Sequence, residues 1–114
     1  MDMRMWNVSP RLMCDKHLLG EHLEMHMFVG CLRQGKSLDG FIKNGLVEVH
    51  NISFRHMELV SEMHKRGMKH DSKISEVVEP PQGNVDVVES LALLAERCPE
   101  CRKRMVEAGN EDWY

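Results

Sequence analysis

Two carboxylates and an imidazole, Glu21, Glu24 and His17, are spaced so that a single helix gathers them. At 100° per residue they fall within an arc of roughly 60°. Leu18, Met25, Val29 and Leu32 form an apolar stripe directly to one side, and Met13, Met27 and Phe28 border Glu24 on the other. A carboxylate in a narrow polar strip between apolar walls is partly desolvated, which suits it to carrying a proton. The same spacing also fits a solvated helix face carrying ordinary charges.

Metal and redox chemistry are the other options these residue types open. Cys98-Pro99-Glu100-Cys101 is a Cys-x2-Cys, and His22 and His26 stand four apart. Closed zinc sites use two ligand pairs, and the two histidines do not stand at finger spacing from the cysteines. No strand–helix pattern supports a thioredoxin-like site. Buried, chemically idle thiols are therefore expected, with no metal and no cofactor.

The cations are grouped. Arg4, Arg11 and Lys16 precede or open the strip, Arg33 and Lys36 follow it, Lys65, Arg66, Lys69 and His70 end a later helix, and Arg97 and Arg102 to Arg104 come late. Acidic residues concentrate at Glu76 to Glu89 and Glu107 to Asp112. The net charge of −3 argues against coating nucleic acid by bulk charge, yet the segregation allows a basic DNA-facing surface.

The elements that must position these groups are helical. A chain of 114 residues and 13.2 kDa is one domain, residues 1–114, with one core. Hydrophobic residues make up 42%, but aromatics only 5% against 10 Met, which suits packed helices better than a sheet sandwich. Ser9-Pro10 is expected to open a first helix running to Arg33. Asn51 to Arg66 reads as a second, with Ile52, His56, Leu59 and Met63 in one stripe and Gly67 ending it. Asn84 can cap a third, with Val88, Leu91, Leu94 (or Ala95) and Cys98 facing inward; at Pro99 it either kinks or yields to a short fourth segment ending at Gly109. Leu46 to Val49 reads as a short extended piece. The expected fold is all-α: a compact single domain of three main helices with an N-terminal segment packed against them. No apolar run reaches the ~18 residues of a membrane span. With a charged start and no secretory context for four Cys, a reduced, cytoplasmic protein is expected, assumed monomeric.

The run Asp15-Lys16-His17-Leu18-Leu19-Gly20-Glu21-His22-Leu23-Glu24-Met25 resembles the first helix of the phage-type pyrimidine-dimer DNA glycosylases, small repair enzymes that also cut at abasic sites. Arg55 to Gly67 resembles that family's second helix, and Trp113-Tyr114 its aromatic C-terminus. The resemblance implies N-glycosylase and abasic-site lyase chemistry on damaged or modified pyrimidines in duplex DNA. The nucleophile it implies is the chain's α-amino group, which attacks C1′ of the sugar and forms an imine, assisted by a first-helix glutamate. That glutamate falls on Glu24, the family's first-helix histidine on His17 and an arginine beside the N-terminus on Arg4. The residue bearing the amine aligns with Met3, whereas the sequence begins at Met1. The family's arginines flanking the glutamate align with Leu23 and Met27, leaving His22 and His26 as the nearby basic groups. Expected DNA-contacting residues are Arg4, His17, Glu21, His22, His26, Arg33, Lys65, Arg66 and Lys69. Two other readings fit the same residues: a non-catalytic DNA- or protein-binding relative, and a zinc-stabilised interaction module built on Cys98 and Cys101.

Overall fold

A computed structural model describes residues 3–69 and 72–112, the side chains of 110–112 excepted. Met1, His70, Trp113 and Tyr114, which figure in the sequence reading, lie outside the described residues. Among the described residues five α-helices follow one another: α1 (Asp15–Arg33), α2 (Asp39–Lys43), α3 (Ile52–Lys65), α4 (Val87–Arg97) and α5 (Pro99–Asp112). Among the described residues there is no strand. The all-α architecture is as expected, with the expected third helix divided in two at Pro99. Cys98 there adopts an extended conformation (φ −127°, ψ 106°), and Pro99, which has no amide to donate, opens α5.

α1 lies against α3, and α5 packs on a 3-10 turn at Pro10–Leu12. The core is made of Met5, Met13, Met25, Met63, Leu18, Phe28, Ile52, Leu59 and Leu94, joined by Trp6, Val8, Val47 and Cys101. The N-terminal segment supplies a full share of it: Met3, Arg4, Met5, Trp6 and Val8 are all buried.

The first helix starts later than Ser9-Pro10 predicts. Pro10 opens only one 3-10 turn, and the chain then straightens through Met13 (ψ 139°) and Cys14 (ψ 164°) before α1 begins at Asp15. The physical reason is competition for backbone groups. The Met13 carbonyl accepts from Arg66 Nη2 at 2.7 Å, and the Pro10 carbonyl from the same nitrogen at 3.1 Å. The Cys14 amide donates to Cys101 Sγ at 3.2 Å. These partners take the places a continuous helix would fill.

The 72–86 connection is tied down along its length without helix or strand. Val77 N donates to Ser53 Oγ, Gln82 N to His50 Nδ1, and Val85 N to the buried Glu48 carboxylate. Gly83 sits at φ +91°, and a Cβ there would stand 2.1 Å from the Val47 carbonyl oxygen. Only glycine lets these two backbones touch. The expected extended piece at 46–49 takes isolated bonds instead, accepting from Met5 N at Leu46 O and donating from Val49 N to Gln82 O. Because Val85 is drawn onto Glu48, the cap of α4 is Asp86, whose side chain accepts from Glu89 N, rather than Asn84. Val88, expected in the core, is 77% exposed; Ser90 and Leu94 hold the inner face.

The interior is organised around an ion pair. Arg55 of α3 and Glu21 of α1 are 1% and 0% exposed. Arg55 Nε donates to Glu21 Oε2 at 2.5 Å and Nη2 to Oε1 at 2.9 Å, a fork-to-fork pair. Arg55 Nη1 also donates to the Val8 carbonyl at 2.7 Å, which binds the N-terminal segment to both helices. Burial by itself would lower the guanidinium pKa; the hydrogen bonds and charge of Glu21 outweigh it and raise the pKa. Removing one partner strands a charge in the core. Arg55→Met is expected to lower the unfolding free energy by about 3–5 kcal/mol. Adding Glu21→Leu should recover part of the loss, because no unpaired charge remains. Urea denaturation of both variants measures this, and additive losses in the double variant would show that the two side chains do not act as a pair.

Candidate active site

Glu24 lies one turn beyond Glu21 on α1, half-buried, and faces the N-terminal segment. The Arg4 amide donates to Glu24 Oε1 at 2.8 Å. Gly20, one turn earlier, lies beside the carboxylate: a Cβ there would stand 4.0 Å from Oε2, an ordinary contact. Leu23, beside Glu24 in the helix, is 58% exposed. Glu24 is thus half-buried, but the strip expected to join it to Glu21 and His17 does not form.

Glu21 is the first correction. Locked on Arg55 with no exposed surface, it has nothing to offer DNA. Met13, expected to wall Glu24, instead lies with its sulfur 3.6 Å from Arg55 Nη2, inside the core. Arg4 is also taken. Its guanidinium stacks on Trp6 at 3.9 Å, Nη2 donates to Ser90 Oγ at 3.1 Å, and the residue is 8% exposed. Burial lowers its pKa, and the charge of Arg97 lowers it further, against the pull of Glu21, Glu89 and Glu24. A cavity of about 110 Å³ lies beside it, lined also by Asn44, Leu46 and Asn84. Arg4 therefore contributes its backbone to the site, while its side chain props the segment in place.

His17 stands apart from both glutamates. Its Nδ1 is 3.3 Å from Cys14 Sγ and 3.6 Å from Cys101 Sγ, and its ring meets Trp6 edge-on at 6.2 Å. Cys14 Sγ and Cys98 Sγ are 3.8 Å apart. The ligand atoms of Cys14, His17, Cys98 and Cys101 all lie within 4.8 Å of one another. Burial, then the charge of Lys16, lowers the His17 pKa, favouring the neutral ring. Burial also pushes the Cys101 thiol up to about 12. For Cys98 the upward push of burial is outweighed by bonds from the Cys101 amide and the neighbouring thiols, and its pKa is lowered. The pair missing from the sequence reading is Cys14-x2-His17, a match in spacing to Cys98-x2-Cys101. A search for mixed Cys/His pairs, rather than Cys or His pairs, would have found it.

His22 and His26 turn away from Glu24, at about 160° around the helix. They meet His56 of α3, with ring centroids 4.7 to 5.0 Å apart and Nε2 of His22 and His26 3.3 Å apart. All three offer a ligand atom within 4.8 Å of the others.

The basic residues divide by use. Arg66 holds Asp15, Glu62 and the carbonyls of Pro10 and Met13, and is 12% exposed at the side chain. Lys65 and Lys69 are exposed, as is Arg33. The Arg66–Asp15 contact places Lys65 at the start of α1, whereas Arg33 ends that helix, roughly 27 Å away. The structure therefore does not gather these three into one patch. Among the described residues no helix is long and apolar enough to cross a membrane.

No curated protein and no solved structure matches the chain. Residues 3–76 match a protein family described as pyrimidine dimer DNA glycosylase. The matched stretch contains the N-terminal segment, Glu24, the Glu21–Arg55 pair and the whole of α3, the parts that hold a half-buried carboxylate against the start of the chain. Nearly two thirds of the sequence is covered, and the chain belongs to the pyrimidine dimer DNA glycosylase family.

Proposed function

We propose that this protein excises a damaged or modified pyrimidine from duplex DNA and nicks the resulting abasic site, with an α-amine in its N-terminal segment as nucleophile and Glu24 as proton carrier. The observation that carries this reading is the 2.8 Å bond from the Arg4 amide to Glu24, which holds that segment against the carboxylate. An α-amine on Met3 would stand one residue from the bonded amide; an amine on Met1 would begin two residues further out.

The chemistry then needs only these two groups. An α-amine has a pKa near 8, so a useful fraction is neutral at cellular pH. The neutral amine attacks C1′, and the glycosidic bond breaks with its electron pair leaving on the base, which takes up a proton. The amine nitrogen loses a proton, O4′ gains one as the sugar ring opens, and an imine joins the chain to C1′. Glu24 then accepts a proton from C2′, the C3′–O bond breaks and the phosphate departs. Water hydrolyses the imine and restores the amine. For C1′ to be reached, the base must leave the stack or the duplex must bend. Leu23, exposed beside Glu24, offers an apolar contact to an unstacked base. Lys65 at one end of α1, Lys69 four residues further along the chain, and Arg33 at the other end of α1 are the cations proposed to meet phosphates on either side of the lesion.

Glu24→Gln keeps size and shape and removes the proton carrier. Base release from a pyrimidine-dimer duplex is expected to fall by ~10²-fold or more with thermal stability unchanged. Borohydride should trap a covalent adduct on abasic-site DNA, mapped by peptide mass to the terminal amine, with a higher yield for a chain that starts at Met3. An adduct on Lys16 or Lys36 would move the nucleophile, and no adduct from a folded chain would favour the non-catalytic relative.

Phosphate contact is read by salt. Replacing Lys65 and Lys69 together with Ala should flatten the dependence of DNA affinity on salt by about two units at most. Arg66→Ala should instead lower stability by about 1–3 kcal/mol, since it leaves the carbonyl of buried Met13 short of a donor and breaks the contacts to Asp15 and Glu62. Equal slopes for the lysine variant and the parent would place DNA elsewhere.

A further inference from the structure

We propose that Cys14, His17, Cys98 and Cys101 form a closed, four-coordinate site for one zinc-class divalent ion, which fastens the start of α1 to the corner between α4 and α5.

The distances fit a tetrahedron. For sulfur ligands about 2.3 Å and nitrogen about 2.0–2.1 Å from zinc, tetrahedral geometry requires edges of roughly 3.8 Å between sulfurs and roughly 3.5 Å between sulfur and nitrogen. The Cys14–Cys98 sulfurs are 3.8 Å apart, and His17 Nδ1 lies 3.3 and 3.6 Å from the sulfurs of Cys14 and Cys101. The four residues form two pairs, Cys-x2-His and Cys-x2-Cys, the pairing that closed zinc sites use. Three sulfurs and one imidazole select a soft or borderline ion over magnesium or calcium. No carboxylate belongs to the set.

The backbone around the sulfurs supports thiolates. The Cys14 amide points at Cys101 Sγ at 3.2 Å and the Cys101 amide at Cys98 Sγ at 3.4 Å. Amide donors to ligating sulfur orient the ligands and offset their charge. Cys98 and Cys101 are buried, and all four positions are protein side chains, which leaves no open place for a substrate and makes the site structural.

Its placement explains why a small domain would need it. The two pairs are more than 80 residues apart in sequence, and the 72–86 connection between them carries neither helix nor strand. A shared ion closes that long loop and ties α4 and α5 to the part of the chain that holds the carboxylate. His17 also meets Trp6, on which Arg4 stacks.

The test uses the full chain, purified under reducing conditions, and reads metal rather than activity. Elemental analysis should find one zinc per chain. Cys98→Ser with Cys101→Ser should reduce it to background, while Cys31→Ser, outside the cluster, should retain it. Chelation should lower the melting temperature, and zinc but not magnesium should restore it. If the double variant does not fold, titrating the stripped parent with cobalt decides the matter: a thiolate-to-cobalt charge-transfer band with intense visible bands marks a tetrahedral sulfur site. A chain that takes up no zinc and shows no such band overturns the proposal. So does a Cys14–Cys98 disulfide in the metal-free native protein, or zinc that survives the cysteine changes and is lost on His22→Gln with His26→Gln, which would move the metal to the three-imidazole cluster.

Discussion

A guanidinium in the middle of a hydrophobic core sets the terms for this fold. Arg55 can be there only if something neutralises it, and Glu21 does so from the facing helix with both of its oxygens. The third strong donor, Nη1, takes the Val8 carbonyl. One side chain therefore fixes α1, α3 and the N-terminal segment in a single arrangement, a specification that apolar packing in a methionine-rich core would leave loose. It also divides two similar carboxylates into different roles. Glu21 is consumed by the interior, and Glu24, one turn on, meets the start of the chain.

The same economy runs through three other arginines. Arg66 gathers two carbonyls and two carboxylates at the entrance to α1, and Arg4 is stacked and roofed. Arg104 spans to the Arg11 carbonyl at 2.9 Å. In a sequence these look like a cationic surface. In the fold they are staples, because a guanidinium has five donors in a rigid fork and satisfies backbone acceptors that no helix reaches. The lysines, with one flexible ammonium each, remain at the surface.

How much of this could be read from the sequence depended on whether local or distant partners decide. The stripes Leu18, Met25, Val29 and Ile52, Leu59, Met63 are periodic, and both helices lie where the period puts them. The N-terminal segment against the helices was legible only through family resemblance. The start of α1 was not legible, because the carbonyl of Met13 and the amide of Cys14 are claimed by Arg66 and Cys101, dozens of residues away. Arg55 sits beside Ile52 and Leu59 on the inward side, yet its charge reads as surface until its partner is known. At the candidate site, spacing grouped His17, Glu21 and Glu24 correctly on one side of a helix. It could not show that three different neighbours, a sulfur cluster, an arginine and a backbone amide, would separate them. The Cys-x2-His pair went unseen because its partner pair lies at the far end of the chain.

Gly83 carries none of this chemistry, yet its position has a genetic meaning. Its backbone rests against the Val47 carbonyl with no space for even a methyl group, in a conformation other residues resist. The strap it belongs to carries Val85 onto Glu48 and so sets where α4 begins. A missense allele at this codon would therefore behave as a null through failed folding, with an intact Glu24 and every proposed phosphate contact still encoded. The loss would be the same for every substrate, and a second-site suppressor would be sought at Val47 and its neighbours, far from the carboxylate.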